Sequence, residues 1–396
     1  MNNRIRSSER ALPVNPTMAL TMIRHAAQSA RLFVGALAIV GCYGCSREGR
    51  APTAGYRLQS IRTIAIPDSV YGGELIDADL VGESGIVFAS GRGRGLTLLR
   101  WNGSFVELAR YGQGPCELGL ASALAVQVNG SLLVSDSKNR RVQTYNSVRC
   151  ESEVALPDLK LSRAWRTSDG VRIHAQMMSR SSTLILRGDA PSSDPVAEVI
   201  YSTDPRSSSC TYCWMAVAPD GAIYSRVQAD TAYRIARFSA QGRAAGFIVR
   251  SGVPIVKLSA DDRDSVESFR RGLLVRAETE LARRSIQAGM DAVPVQTYKD
   301  LFAGMPLVDS RNRLLIARSS NMGMPVPIDV FDAPSGKFLG EARLRAGSKL
   351  VRATEQGILV FSDDEESGPS FSIYRLDRSS AASGGPLQAL PQRSTR

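Results

Sequence analysis

The clearest structural signal lies in residues 112–143, which read GQGPCELGLASALAVQVNGSLLVSDSKNRRVQ. Apolar segments at 124–128, 132–134 and 142–145 are separated by short stretches of turn-forming residues, among them Asn129 and Gly130. Short apolar runs bounded by Gly, Asn, Asp and Ser are typical of antiparallel strands joined by tight turns. This stretch therefore predicts three consecutive strands of one antiparallel sheet.

The same unit recurs along the chain: a strand, a turn with Gly or Asn, a second strand, a polar loop and further strands. The first-turn residues are Gly85, Gly130, Gly170, Gly221, Asn312 and Gly357. Their separations are 45, 40, 51, 91 and 45 residues, so one gap is about twice the others. Four-stranded propeller blades typically occupy ~40–45 residues. The repeat predicts an all-β fold class, a six-bladed β-propeller over 56–378, in which 56–66 closes the ring with the last blade.

The long gap between blades 4 and 5 is explained by a helical insertion at about 258–290. Ser259 is suited to cap a helix, and acidic residues follow it in the first turn. Apolar residues then recur at helical spacing from Val266 through Phe269 to Leu281. We expect this stripe to pack on the propeller; a helix that binds a partner is the alternative.

The residues near the N-terminus predict an export signal. Arg24 and Arg31 precede an apolar stretch at 32–40, and Ile39-Val40-Gly41-Cys42 follows the pattern of a bacterial lipobox. We therefore expect a signal peptide at 1–41, a lipidated Cys42 and a flexible tether at 42–55. An ordinary cleaved signal and a buried core element are the alternatives. The tail at 379–396 is rich in Ser, Ala, Gly and Pro and is expected to be disordered.

The net charge of the chain and its predicted export restrict the kinds of partner that we expect. The chain has 49 basic and 38 acidic residues, and removal of 1–41 takes away five Arg and one Glu, leaving a net charge of +7. Tyr43 follows Cys42, so no Asp is present there as an inner-membrane retention signal. We expect an outer membrane lipoprotein of the cell envelope, facing the periplasm or the surface. It would be a monomer, held to the membrane by its lipid, with no nucleic-acid partner.

Residues 112–143 also resemble an NHL repeat, although Cys116 stands where that family favours Gly and Ser135 replaces a common Ala. The whole stretch 56–378 resembles bacterial six-bladed β-propeller lipoproteins of the NHL/TolB-like kind. The resemblance implies an architecture and leaves the activity open.

Two sets of side chains are candidates for a ligand rim on a propeller face. They are Arg92 and Arg94 in the first blade and Glu117, Asp136, Asn139, Arg140 and Arg141 in the second. For Asp136 and Asn139 the alternative is a purely structural role, because both residue types order turns.

Four cysteines are candidates for disulfides in an exported protein. Cys116 and Cys150 bracket one blade, and Cys210 and Cys213 have the spacing of a local bond, a redox motif or half a zinc site. A structural bond is favoured for the second pair, because the five cysteines that remain once Cys42 is lipidated contain no second CxxC.

No catalytic set is evident in the sequence. His174 is the single histidine beyond the signal segment, which leaves little room for histidine-based catalysis. We therefore expect no cofactor, no metal and no catalytic residue, and predict a binding scaffold for an unidentified envelope protein, peptide or glycan. The alternative is a metal-dependent, lactonase-like propeller hydrolase, for which Asp77, Asp79 and Asp309 would supply part of the ligand set.

Overall fold

The strands pair into six four-stranded antiparallel sheets, numbered in chain order. A computed structural model describes residues 55–91, 95–127, 129–146, 149–155, 159–168, 170–177, 183–188, 199–203, 215–226, 233–275, 277, 279–292, 301–321, 323–364 and 366–379.

Sheet 1 contains β2 (Leu75–Val81), β3 (Gly85–Ser90), β4 (Leu96–Arg100) and β5 (Phe105–Ala109). Sheet 2 contains β6 (Ala121–Val126), β7 (Leu132–Asp136), β8 (Arg141–Asn146) and β9 (Arg149–Ala155). Sheet 3 contains β10 (Leu159–Thr167), β11 (Gly170–Met177), β12 (Thr183–Gly188) and β13 (Val199–Thr203).

The second half of the chain forms the other three sheets. Sheet 4 contains β14 (Met215–Val217), β15 (Ile223–Arg226), β16 (Arg234–Phe238) and β17 (Ala244–Val249). Sheet 5 contains β18 (Leu307–Val308), β19 (Arg313–Ala317), β20 (Val326–Asp332) and β21 (Phe338–Leu344). Sheet 6 contains β22 (Ser348–Thr354), β23 (Gly357–Asp364), β24 (Gly368–Arg378) and β1 (Tyr56–Ala65). The first strand thus completes the last sheet, with Tyr56 opposite Arg378.

The sheets are arranged in a ring. The first strand of each sheet, called its inner strand (β2, β6, β10, β14, β18 and β22), contacts the inner strands of the sheets before and after it, and β22 contacts β2. A buried apolar cluster also lies between each pair of neighbouring sheets, including sheets 6 and 1. Between sheets 6 and 1, for example, Phe361 and Phe371 pack with Phe88. This arrangement confirms the prediction of an all-β propeller fold.

The six turn residues found in the sequence all lie where an inner strand passes into the second strand of its sheet. All have positive φ, from 54° at Asn312 to 154° at Gly85. Side chains are rare in this region, which explains the recurrence of Gly and Asn. At Gly85 a Cβ would also lie 2.2 Å from the carbonyl oxygen of Leu99 on β4, so only glycine fits.

The segment between sheets 4 and 5 contains two helices, α1 (Ala260–Val275) and α2 (Glu280–Ala292). Ser259 caps α1 as predicted: its Oγ accepts the Asp262 amide at 3.1 Å, and the Asp262 carboxylate accepts the Ser259 amide at 3.0 Å. The expected packing of the apolar stripe on the propeller is wrong, because Phe269 is 65% and Leu281 79% exposed. Within the part of the chain that the structure describes, no helix is long and apolar enough to cross a membrane.

Candidate functional site

A cavity of about 520 Å³ lies at the centre of the ring. All six inner strands contribute to its wall: Asp79 from β2, Val126 from β6, Arg163 and Trp165 from β10, Val217 from β14, Val308 from β18 and Arg352 from β22. Residues of the turns that follow these strands, such as Gly130 and Ser310, also line it. The central cavity therefore lies toward the ends of the inner strands, where each turns back into its sheet.

Arg352 occupies the inner end of this cavity and is only 6% exposed. Its Nη2 donates to both carboxylate oxygens of Asp77, at 3.0 and 2.9 Å, and to the Leu124 carbonyl at 2.8 Å. Its Nη1 donates to the Ala164 carbonyl at 2.6 Å. One side chain of sheet 6 thereby binds the inner strands of sheets 1, 2 and 3, and its donors are largely engaged.

The two acids beside Arg352 are also engaged by backbone amides. Asp77 accepts the Ala78 and Leu124 amides at 2.9 and 3.1 Å. Asp79 accepts the Leu80 and Val126 amides at 2.8 and 2.9 Å. Burial raises the pKa of Asp79, against the opposing charge of Arg352. Burial acts to lower the pKa of Arg352, but the charges of Asp77 and Asp79 raise it overall.

Arg163 differs from Arg352 in how its donors are used. Its Nη2 donates to the Val351 carbonyl at a long 3.3 Å, and its buried Nε has no hydrogen-bond partner among the described residues. Its guanidinium carbon lies 6.0 Å from the ring centroid of Trp165. Burial lowers the pKa of Arg163 to about 10, and the charge of Asp77 opposes this shift. The central cavity therefore contains a partly buried cation whose donors are not all used.

The charged residues at the inner end of the cavity, Asp77, Asp79, Arg163 and Arg352, form the central cluster. The inner strands that carry it share a backbone irregularity. The pairing register of β2, β6, β10 and β22 shifts directly before Asp77, Ala123, Arg163 and Arg352, respectively. A β-bulge re-aims the side chain that follows it. These four positions are therefore equivalent in their sheets, and three of them hold Asp77, Arg163 and Arg352, while Asp79 lies two residues further along β2.

Sequence reasoning missed Arg163 and Arg352. A signal was present, because Asp77-Ala78, Arg163-Ala164 and Arg352-Ala353 each place a charged residue before Ala in an inner strand. Aligning the repeats on their inner strands, and not only on their turn glycines, would have identified the three charges as equivalent.

The raised pKa of Asp79 predicts a specific pH dependence. Because the folded carboxyl has a higher pKa than the unfolded one, its contribution to stability is fully present below the ordinary pKa of about 3.9 and is lost as the pH rises through the folded pKa. Relative to Asp79→Asn, the wild-type chain should gain free energy of unfolding between pH 7 and pH 4. Urea denaturation of both chains at the two pH values measures this, and a difference that is flat or shrinks toward pH 4 would contradict it.

The carboxylates named for a metal-dependent hydrolase do not form a ligand set. Asp77 and Asp79 face Arg352, and Asp309 belongs to the turn after β18. There Asp309 accepts the Arg311 and Arg313 amides at 3.0 and 2.9 Å and pairs with the Arg313 guanidinium at 2.7 Å. Across the described ranges no group of three or more His, Cys, Asp or Glu residues is placed to hold a metal ion.

The predicted ligand rim of the second blade forms a tight loop network instead. Asp136 is fully buried and accepts the amides of Gly119, Leu120 and Asn139 at 3.0–3.2 Å. It also accepts Asn139 Nδ2 at 2.6 Å. These contacts are those of a residue that orders the turn, the structural alternative considered from the sequence.

Glu117 and Arg141 belong to the same network. Glu117 accepts the Gly114 amide at 2.8 Å, and Arg141 donates to the Gly114 carbonyl at 2.8 Å and pairs with Glu153 at 3.0 Å. Arg140 is exposed and has a φ of 51°. Asp136 pairs with Ala121 at the start of β6, whereas the central cavity is lined by Val126 at its end. These residues therefore lie at the other end of sheet 2 from the cavity.

A disulfide joins Cys116, in the loop before β6, to Cys150 on β9, with a Cα–Cα distance of 5.7 Å. This is one of the two pairs considered from the sequence. The other pair, Cys210 and Cys213, lies outside the described residues, as do Arg92, Arg94 and Cys42. The backbone places His174 on β11, opposite Ile185 of β12.

Comparisons with known proteins identify no family for this chain. No protein-family model matches it, and no curated protein matches it in sequence. Among solved structures, regucalcin from Agrobacterium tumefaciens, described as a calcium-binding protein, is 12% identical with a TM-score of 0.43, over 81% of this chain and 95% of its own. A gluconolactonase from Xanthomonas campestris is 10% identical with a TM-score of 0.45, over 82% and 99%. Virginiamycin B lyase from Staphylococcus aureus is 8% identical with a TM-score of 0.41, over 80% and 99%.

Likenesses of this strength say nothing about what the present chain binds or transforms. The class that its own sheets define is the β-propeller, with a charged cavity at the centre of the ring.

Proposed function

We propose that this chain is a lipid-anchored, six-bladed β-propeller of the cell envelope that acts as a binding scaffold. It is held at the outer membrane through Cys42, and its central cavity receives part of an envelope protein, peptide or glycan. The six sheets with inner strands in cyclic contact support the blade number. The Cys116–Cys150 disulfide supports an oxidising compartment outside the cytoplasm.

The observation that carries the binding role is the central cavity itself. Its volume of about 520 Å³ lies within the range of small-ligand sites, and every sheet contributes to its wall. A site lined by six packed sheets is rigid, which limits the entropy lost when a ligand binds. The acids within it are engaged by Arg352 and by backbone amides, so the cavity is suited to binding more than to metal-assisted hydrolysis.

The experiment combines lipid analysis with ligand retention. The full chain is extracted with detergent from its native envelope and measured by native and denaturing mass spectrometry, together with the variants Ser310→Trp and Gln241→Trp. Ser310 is exposed at the cavity mouth, so a Trp there should obstruct it. Gln241 is exposed on the turn between β16 and β17, outside the residues that line the cavity, and serves as the matched control.

We expect a triacylated Cys42 in all three chains. A co-extracted ligand should be retained by the wild type and Gln241→Trp and lost from Ser310→Trp. An unlipidated chain would contradict the anchor. A chain that retains nothing, or the same ligand in all three forms, would contradict binding in the central cavity. One stoichiometric metal ion per chain would favour the hydrolase instead.

A further inference from the structure

We propose that the central cavity takes a ligand with a carboxylate on an apolar body, and that the guanidinium of Arg163 binds the carboxylate. This inference rests on the proposed binding function of the same cavity and names the chemistry of what is bound. It depends on three features of the cavity: the donors of its arginines, its charge balance and its apolar wall.

The first feature is the difference between the two arginines at the inner end of the cavity. Arg352 donates to a carboxylate and two carbonyls at 2.6–3.0 Å, so it has little capacity left for a ligand. Arg163 has one bond of 3.3 Å, and its buried Nε has no partner within the described ranges. Nε is closed off from the cavity, whereas Nη1 makes no hydrogen bond to a described residue and Nη2 makes only the long one, so the two Nη atoms are the donors that an acceptor in the cavity can reach.

The second feature is the charge balance. Asp77 and Asp79 are both close to Arg352, and Asp77 gives Arg352 both of its carboxylate oxygens. Arg163 has no ion pair with a described acid, although Asp77 and Asp79 are close enough to act on its charge. A guanidinium remains protonated at neutral pH. Arg166 and Glu355, which also line the cavity, offset each other in formal charge. The preference for an anion therefore comes from Arg163 itself, whose planar guanidinium matches a carboxylate in a two-bond geometry.

The third feature is the wall around Arg163. Trp165, Leu80, Val126, Val217 and Leu307 line the same cavity. A phosphate would place several anionic oxygens against this apolar surface, where they would lack partners. A carboxylate exposes only two oxygens, and an apolar or aromatic body attached to it would pack on the wall. The walls thus favour a carboxylate over a phosphate.

The test uses benzoate as the probe, with benzyl alcohol as its uncharged counterpart and inorganic phosphate as an anion without an apolar body. Binding to the detergent-solubilised full chain is measured by isothermal titration calorimetry. We expect benzoate to bind at least about tenfold more tightly than either comparison compound, which is the ratio expected for one charged hydrogen-bonded pair. Phosphate that binds as tightly as benzoate, or benzyl alcohol that does so, would overturn the proposal.

Variants locate the binding site. Arg163→Met should weaken benzoate binding about tenfold or more, whereas Arg284→Met, at an exposed arginine of α2, should leave it unchanged. Equal binding by wild type and Arg163→Met would overturn the role of Arg163. Near-UV circular dichroism shows whether Arg163→Met folds. If it does not, Ser310→Trp is used in its place, because it keeps Arg163 and obstructs the mouth of the cavity. Loss of benzoate binding by Ser310→Trp supports the proposal, and benzoate binding that persists overturns it.

The two proposals fail in different ways. If a native ligand is retained by wild type and lost from Ser310→Trp while benzoate does not bind, the scaffold stands and the carboxylate chemistry is wrong. If benzoate binds through Arg163 but nothing is retained from the envelope, the site chemistry stands and the scaffold role is wrong.

Discussion

Arg352→Met is expected to lower the free energy of unfolding by about 3–5 kcal/mol, the cost of removing one partner from a buried ion pair. Methionine keeps much of the side-chain volume but removes every donor. Asp77 would remain buried with a negative charge and only its two amide donors. The carbonyls of Leu124 and Ala164 would lose their arginine donor. Sheets 1, 2 and 3 would thus each lose a hydrogen bond to sheet 6.

Equilibrium urea denaturation of the full chain measures this effect. Arg284→Met is the matched control, because Arg284 is 78% exposed in its pair with Glu280 and should contribute less than about 1 kcal/mol. The double variant Arg352→Met with Asp77→Asn should lose less than the two single changes together, since removing the charge of Asp77 relieves part of the penalty. A loss of 1 kcal/mol or less for Arg352→Met alone would show that the cluster does not hold the sheets together.

The turns and strands could be predicted from the sequence because they depend on local chemistry. Gly85, Gly130 and Asn312 mark turns through the backbone conformations that they tolerate, and the apolar runs beside them mark strands. The closing role of β1 was also predictable, because a ring without it would leave the last sheet one strand short. The turns and strands need no knowledge of which distant residues meet, and the pairing of β1 with the last sheet follows from the number of strands in each repeat.

The central cluster could not be predicted because its contacts depend on the closed ring. Asp77 and Arg352 are 275 residues apart, and they meet only because sheet 6 lies beside sheet 1. The end of sheet 2 at which the predicted rim lies depends on the folded sheet in the same way. Asp136 and Arg141 have the residue types of a binding site, but their network orders the loop before β6, at the end of sheet 2 away from the cavity. Residue type alone does not say at which end of a sheet a side chain lies.

Removing the Cys116–Cys150 disulfide is expected to destabilise the oxidised protein by about 3–4 kcal/mol. The two cysteines are 34 residues apart, and the chain-entropy relation gives a cost of this size for a loop of that length. The double variant Cys116→Ser with Cys150→Ser tests it by urea denaturation. Adding a thiol reductant should bring the wild type to within about 0.5 kcal/mol of this variant, because both chains then lack the bond. A wild-type stability that does not respond to complete reduction would contradict the prediction.

The backbone at Cys116 allows a sharper version of the same experiment. Cys116 has a φ of 57°, in the region that favours glycine. A side chain in this conformation costs about 1–2 kcal/mol, which the disulfide offsets in the oxidised protein. Cys116→Gly with Cys150→Ser should therefore be about 1 kcal/mol more stable than Cys116→Ser with Cys150→Ser. If the two double variants are equally stable, the left-handed backbone at position 116 carries no cost and the cysteine stands there without strain.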